Sequence, residues 1–192
     1  MSFAGVSVER LRLAGFSKGW QLEYATGPHD EDRLIKDMPP LRLGMRVQFL
    51  DLPEGIAITA HATLSRPDFS ALINALMNEP QGHEFPLEVW VLEALADRAL
   101  IQFEDILSKQ LSESEKRVES FDWNSKLEHF IHHRPDSPGT RQLAHLAALA
   151  YKGDLSKLLD YQDAFAKGKR LNFATMISSE VMERAVDIAA LR

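Results

Sequence analysis

The sequence contains no cysteine, which excludes disulfides, thiolate metal sites and a cysteine nucleophile, and is compatible with a reducing compartment. It has no apolar run near the roughly 20 residues that a membrane-spanning helix needs. The opening MSFAGVSVERLRLAGF interrupts its apolar pattern with Glu9, Arg10 and Arg12, so it lacks the core of a signal peptide. A soluble, cytoplasmic protein with no membrane partner is therefore expected. Basic charge is scarce too: a net charge of −6 speaks against general nucleic-acid binding, which is built from clustered Lys and Arg. Neither G-x-G-x-x-G nor a P-loop occurs, so no nucleotide cofactor is expected, and no other cofactor is indicated.

What is present is ordinary for a globular chain: 192 residues, 45% of them apolar and 26% charged. A compact chain of this length buries roughly 70% of its unfolded surface, enough for a single domain over 1–192 without staples. The organising stretch is Leu41 to Leu64, LRLGMRVQFLDLPEGIAITAHATL. Leu41, Leu43, Met45, Val47 and Phe49 share one parity; after the turn residues Asp51 to Gly55, Ile56, Ile58, Ala60, Ala62 and Leu64 share the other. Strand side chains alternate between faces, so each arm of this hairpin has one apolar and one polar face. The apolar faces coincide when Phe49 opposes Ile56, or when Phe49 opposes Ile58 and Val47 opposes Ala60 across a shorter loop. Pro53 presets φ in the turn, and Gly55 there tolerates a positive φ.

In chain order, residues 6–16 fit a short helix, and Trp20 to Thr26 alternate as a strand that joins the hairpin in a meander. Gly27 to Pro40 reads as a polar loop. Ser65-Arg66-Pro67-Asp68 starts a helix whose stripe, Phe69, Leu72, Ile73, Leu76 and Met77, is expected to lie on the sheet. Phe85 to about Gln110 carries so wide an apolar stripe that a largely buried helix is predicted, with a short strand at Leu87 to Val91 as the competing reading. Helices follow over Phe121 to His133, Gln142 to Lys152, Asp154 to Gly168 and from Ser178 or Ser179 onward. Gly153-Asp154 marks a tight αα-hairpin similar to those of tetratricopeptide repeats, although no repeat follows at a fixed period.

Chemistry-bearing residues are sparse. Gly15-Phe16-Ser17-Lys18-Gly19 matches the nucleophile-elbow pattern, but a strand follows it where the elbow needs a helix, so a turn is the better reading. Glu128, His129, His132 and His133 are the densest group of metal-ligating types. His129 and His133, spaced i and i+4, share a helix face and form the candidate metal pair, with Asp136 or His145 as a conceivable third ligand. A polar helix end is the plainer account. Arg42, Arg46 and His61 fall on the polar face of the hairpin and are candidate binding residues for an acidic partner or a small anion. Lys167 to Arg170 form a short basic patch at a helix end.

The order of an opening helix, three strands and a helix resembles the first part of type III secretion chaperones, which are also small and acidic. The resemblance stops at topology, since those chaperones continue with two more strands where Phe85 onward reads as helix. The expected fold is α+β: an N-terminal antiparallel β-meander of about three strands with a covering helix over 1–80, then a mainly helical half over 81–192. The expected function is a non-catalytic binding or protein-interaction module, chaperone- or adaptor-like, with another protein as partner. The alternative is a metal-dependent hydrolase or small-ligand-binding protein that uses the His129/His133 region.

Overall fold

The structure, a computed structural model of the chain, describes residues 18–24, 32–79, 83–96, 103–132 and 140–192. Its strands are β1 Gln21–Glu23, β2 Arg33–Met38, β3 Leu41–Leu52, β4 Gly55–Ser65 and β5 Pro86–Ala96. Its described helices are α1 Pro67–Met77, α2 Phe103–Glu119, α3 Trp123–His132, α4 Thr140–Lys152, α5 Leu155–Ala166 and α6 Ser179–Ala190. The fold is α+β, as the pattern predicts. The chain forms two compact units, each assembled from two pieces: Met1–Arg66 with Pro86–Phe121, and Pro67–Phe85 with Asp122–Arg192.

In the first unit all the strands form one antiparallel sheet in sequence order. The central hairpin takes the register with the shorter loop: Phe49 opposes Ile58, Val47 opposes Ala60, and Pro53-Glu54 turn the chain between Leu52 and Gly55. Gly55 has no positive φ. It is required for space, because a Cβ there would run into the carbonyl oxygen of Ala96 on β5. Two strands extend the expected meander. β2 lies in the segment read as a polar loop, and β5 in the segment read as one wide helix; that helix begins only at Phe103 and continues through the charged stretch to Glu119.

The sheet's apolar face gathers Leu34, Leu43, Met45, Ala60, Ala62, Leu64 and Leu92 against Leu107, Leu111 and Val118 of α2. Each such leucine contributes about 1.5–3 kcal/mol on leaving water. The small side chains of Ala60 and Ala62 leave room for α2, which packs on β3, β4 and β5. Polar groups fix its position. Trp20 Nε1 and Lys36 Nζ both donate to Glu115 Oε1, at 2.7 and 2.9 Å. Trp90 Nε1 donates to Ser114 Oγ at 3.3 Å. The sheet is thus covered by α2, and α1, expected in that role, packs instead on α4 and α6.

The second unit is built around α4. Every residue from Gln142 to Ala150 is buried, and α1, α3, α5 and α6 all pack on this helix. A helix surrounded by protein must be largely apolar all round, and alanine at 144, 147, 148 and 150 lets its neighbours approach closely. Gly153, at φ +69°, ends α4, and Asp154 Oδ1 accepts from Lys157 N to start α5, so the αα-hairpin forms where the sequence places it. Phe69 of α1 makes ring contacts with Phe85, Trp123, Phe130 and Tyr151. Those contacts explain where the α1 stripe goes. No described helix is long and apolar enough to cross a membrane.

Candidate binding face

The face of the sheet opposite α2 is where pattern and structure meet. From β3 across β4 to β5, direct cross-strand neighbours form the rows Gly44–Thr63–Val89, Arg46–His61–Val91, Gln48–Thr59–Glu93 and Leu50–Ala57–Leu95. Arg46 and His61 are therefore side by side, and Arg42 lies four residues back on the same face of β3, as strand parity requires.

The two halves of this face differ. On β1 to β3 the cations meet carboxylates: Arg42 Nε donates to Asp37 Oδ1 at 2.7 Å, and Arg33 pairs with Glu23. The Arg33 side chain lies across Gly44, where a Cβ would touch it. Toward β5 the face turns apolar and open. Val89 is 60% exposed, Val91 47%, Leu95 56%, and Leu50 at the hairpin end 61%.

β5 is also an edge. Among the described residues no strand pairs with its outer side. Soluble proteins blunt such edges with Lys, Pro, bulges or brevity. β5 spans 11 residues and, after Pro86 at its start, contains no Pro, Lys or Arg; its register shift against β4 sits only at Leu64/Ser65. A long edge with apolar side chains on its open face is suited to take another strand.

The histidine-rich end of α3 is arranged differently. His129 is exposed, with its ring near that of Phe130, and His133 lies outside the described residues, as do Ser17 and Asp136. Glu128 binds Lys152 Nζ at 3.0 Å and His132 Nε2 at 3.3 Å. The Lys152 hydrogen bond, helped by the charges of Lys152 and His132, holds the Glu128 carboxyl below the usual carboxylate range. Among the described residues no three His, Asp or Glu side chains are grouped to hold a metal. His145, considered as a third ligand, has both ring nitrogens engaged, by Phe130 O and by Tyr161 Oη.

Residues 16–190 match the family described as a family of unknown function, DUF6990. The chain belongs to DUF6990. No curated protein and no solved structure matches it.

In this DUF6990 chain, Val89, Val91 and Leu95 escape a reading of the sequence because their strand is apolar on both faces. The one local signal is the β-branched pair Val89 and Val91 within Leu87 to Val91, the short strand that competes with the helix there. Arg42, Arg46 and His61 are placed together by parity alone.

Proposed function

We propose that the protein is a non-catalytic binding module that holds an extended segment of another protein along β5. The observation that carries this reading is the edge strand itself: 11 residues long, without Lys or Arg, with Val89, Val91 and Leu95 about half exposed on its open face. Strand addition at such an edge draws affinity from main-chain hydrogen bonds and specificity from alternate side chains. The row Arg46–His61–Val91 sets the chemistry of the partner. Its segment carries apolar residues at alternate positions to cover Val89, Val91 and Leu95, and an acidic side chain that reaches toward Arg46 and His61.

The test is selection of a random peptide library on the full chain, followed by titration of the enriched peptides. Peptides with alternating apolar residues and an acid are expected. Val91→Lys and Arg46→Glu are each expected to weaken them by about tenfold or more, since tenfold corresponds to only ~1.4 kcal/mol. Both side chains point away from the core, so the fold is retained. Failure to enrich any peptide, or affinities unchanged in Val91→Lys, would overturn the reading.

A further inference from the structure

β5 has the pattern that its own edge asks of a docked segment. Val89, Val91 and Leu95 stand at alternate positions on the open face, and Glu93, also exposed, stands among them. Glu88 and Glu93 are the only charged residues of the strand. The cations lie behind it, with His61 on β4 and Arg46 on β3 in the row of Val91. A second β5 would therefore bring its acid to the cations and its aliphatic side chains to the aliphatic ones.

Symmetry and charge select the register. A strand paired antiparallel with its own copy is related to it by a twofold axis, and directly opposed side chains share a face. With Leu92 opposite Leu92 of the second copy, Val91 faces Glu93 of the second copy and Val89 faces Leu95 of the second copy. Each contact occurs twice. The row Arg46–His61–Val91 then continues into Glu93 of the second copy. The acid lies two strand spacings from His61, about 9–10 Å between backbones, a gap that a glutamate and an imidazole span between them. Centring the pair on Glu93 would instead oppose like charges, which is destabilising. Centring it on Val91 would run two Arg46–His61 rows into one line, with no acid between them.

The two ends of the sheet also differ in the way such an assembly needs. β1, at the opposite end, spans three residues, and brevity is one of the ways in which an edge is kept from pairing. β5 is long and has no such protection. Two chains joined along β5 cover both long edges and leave a short β1 at each end of the joined sheet. The contact is isologous, so it closes as a dimer and does not grow into a fibre.

We propose that two copies of the chain pair antiparallel along β5, centred on Leu92, and that a docking segment of another protein displaces the second copy. This rests on the reading of β5 as a docking edge and adds what covers that edge when no other segment does. A contact one strand wide falls short of the roughly 1,200 Å² of a standard interface, so the dimer is weak, with a Kd on the order of 100 µM. The outward amides of β5 are then uncovered for a sizeable share of the time and still exchange fast. A tighter-binding segment replaces the second copy by mass action.

Sedimentation velocity of the full chain between about 10 and 500 µM tests the pairing; mostly monomer is expected at the low end and mostly dimer at the high end. Val91→Glu opposes like charges across the axis and is expected to weaken the dimer about tenfold. Adding Glu93→Lys to Val91→Glu opposes unlike charges and is expected to restore it. Only the register centred on Leu92 predicts that rescue. Both side chains are exposed, and circular dichroism confirms the fold of each variant. A peptide enriched on the full chain is expected to return the dimer to monomer. A native chain that stays monomeric at about 500 µM while peptides bind overturns the pairing and leaves the docking edge standing. A Val91→Glu chain that dimerises like the native one, or a double variant that stays monomeric, also overturns the pairing. A dimer that follows both variants while no peptide is enriched supports the pairing and overturns the docking of another protein.

Discussion

Gln110 sits under the sheet, 5% exposed, with its Nε2 donating to Leu92 O at 3.3 Å and its Oε1 without a partner among the described residues. A buried acceptor left unpaired costs about 1–3 kcal/mol, whereas one long neutral hydrogen bond contributes about 0.5–1.5 kcal/mol. Gln110→Leu removes the orphaned oxygen and adds an apolar side chain beside Leu107 and Leu111. It is expected to stabilise the protein by ~1 kcal/mol, read as a higher urea midpoint at unchanged slope. A lower midpoint would show that the bond to Leu92 outweighs the orphan. Glu128 offers a test in pH. A carboxyl whose folded value is lowered stabilises the fold above the ordinary carboxylate range, and that contribution is lost as pH falls through the lowered value. Glu128→Gln is therefore expected to be slightly less stable than the native chain at neutral pH and equal to it in strong acid. The difference is small because the pair is exposed to solvent. A gap that widens on acidification contradicts the assignment.

At the scale of elements, Gly55 shows how one strand shapes another. A Cβ at this position would collide with the Ala96 carbonyl, so Gly55→Ala must push the hairpin turn away from β5. A loss of about 1–3 kcal/mol is expected in chemical unfolding, the range for steric overpacking; a neutral effect would show that the turn is free of β5. The hairpin was legible because β3 and β4 keep charge on one parity and aliphatics on the other, which pins the register to within one choice. The α4–α5 turn was legible because Gly153 and Asp154 each have a local role. β2 was not, since Arg33, Lys36 and Asp37 charge both of its faces, and Lys36 is held on the core side by Glu115, a partner 79 residues away on another element that no local pattern reveals. β5 was not legible for the opposite reason. With Leu92 and Ala96 inside and Val89, Val91 and Leu95 outside, its apolar residues imitate a broad helical stripe. The property that hides the strand is the one that suits it for docking.

At the scale of the molecule, the sequence halves are not the structural units. Phe69, Ser70 and Phe85 belong with α3 to α6: Phe69 lies among the aromatic rings, and Ser70 Oγ accepts from Phe85 N at 3.0 Å. A fragment of residues 122–192 lacks all of them, and losing a single buried phenylalanine already costs about 3–5 kcal/mol. The fragment is expected to melt without a cooperative transition in circular dichroism, whereas the full chain melts cooperatively; a cooperative fragment would show that the helices need nothing from residues 67–85. The docking claim can be tested on β5 itself, with no partner in hand. In the edge strand of an antiparallel sheet, amides alternate between those bonded to the neighbouring strand and those pointing outward. Amide hydrogen exchange followed by NMR on the full chain is expected to show slow and fast amides in alternation from Leu87 to Leu95. Continuous protection over those residues would mean that the outer edge is already covered, or that the segment is helical, and would contradict a docking edge.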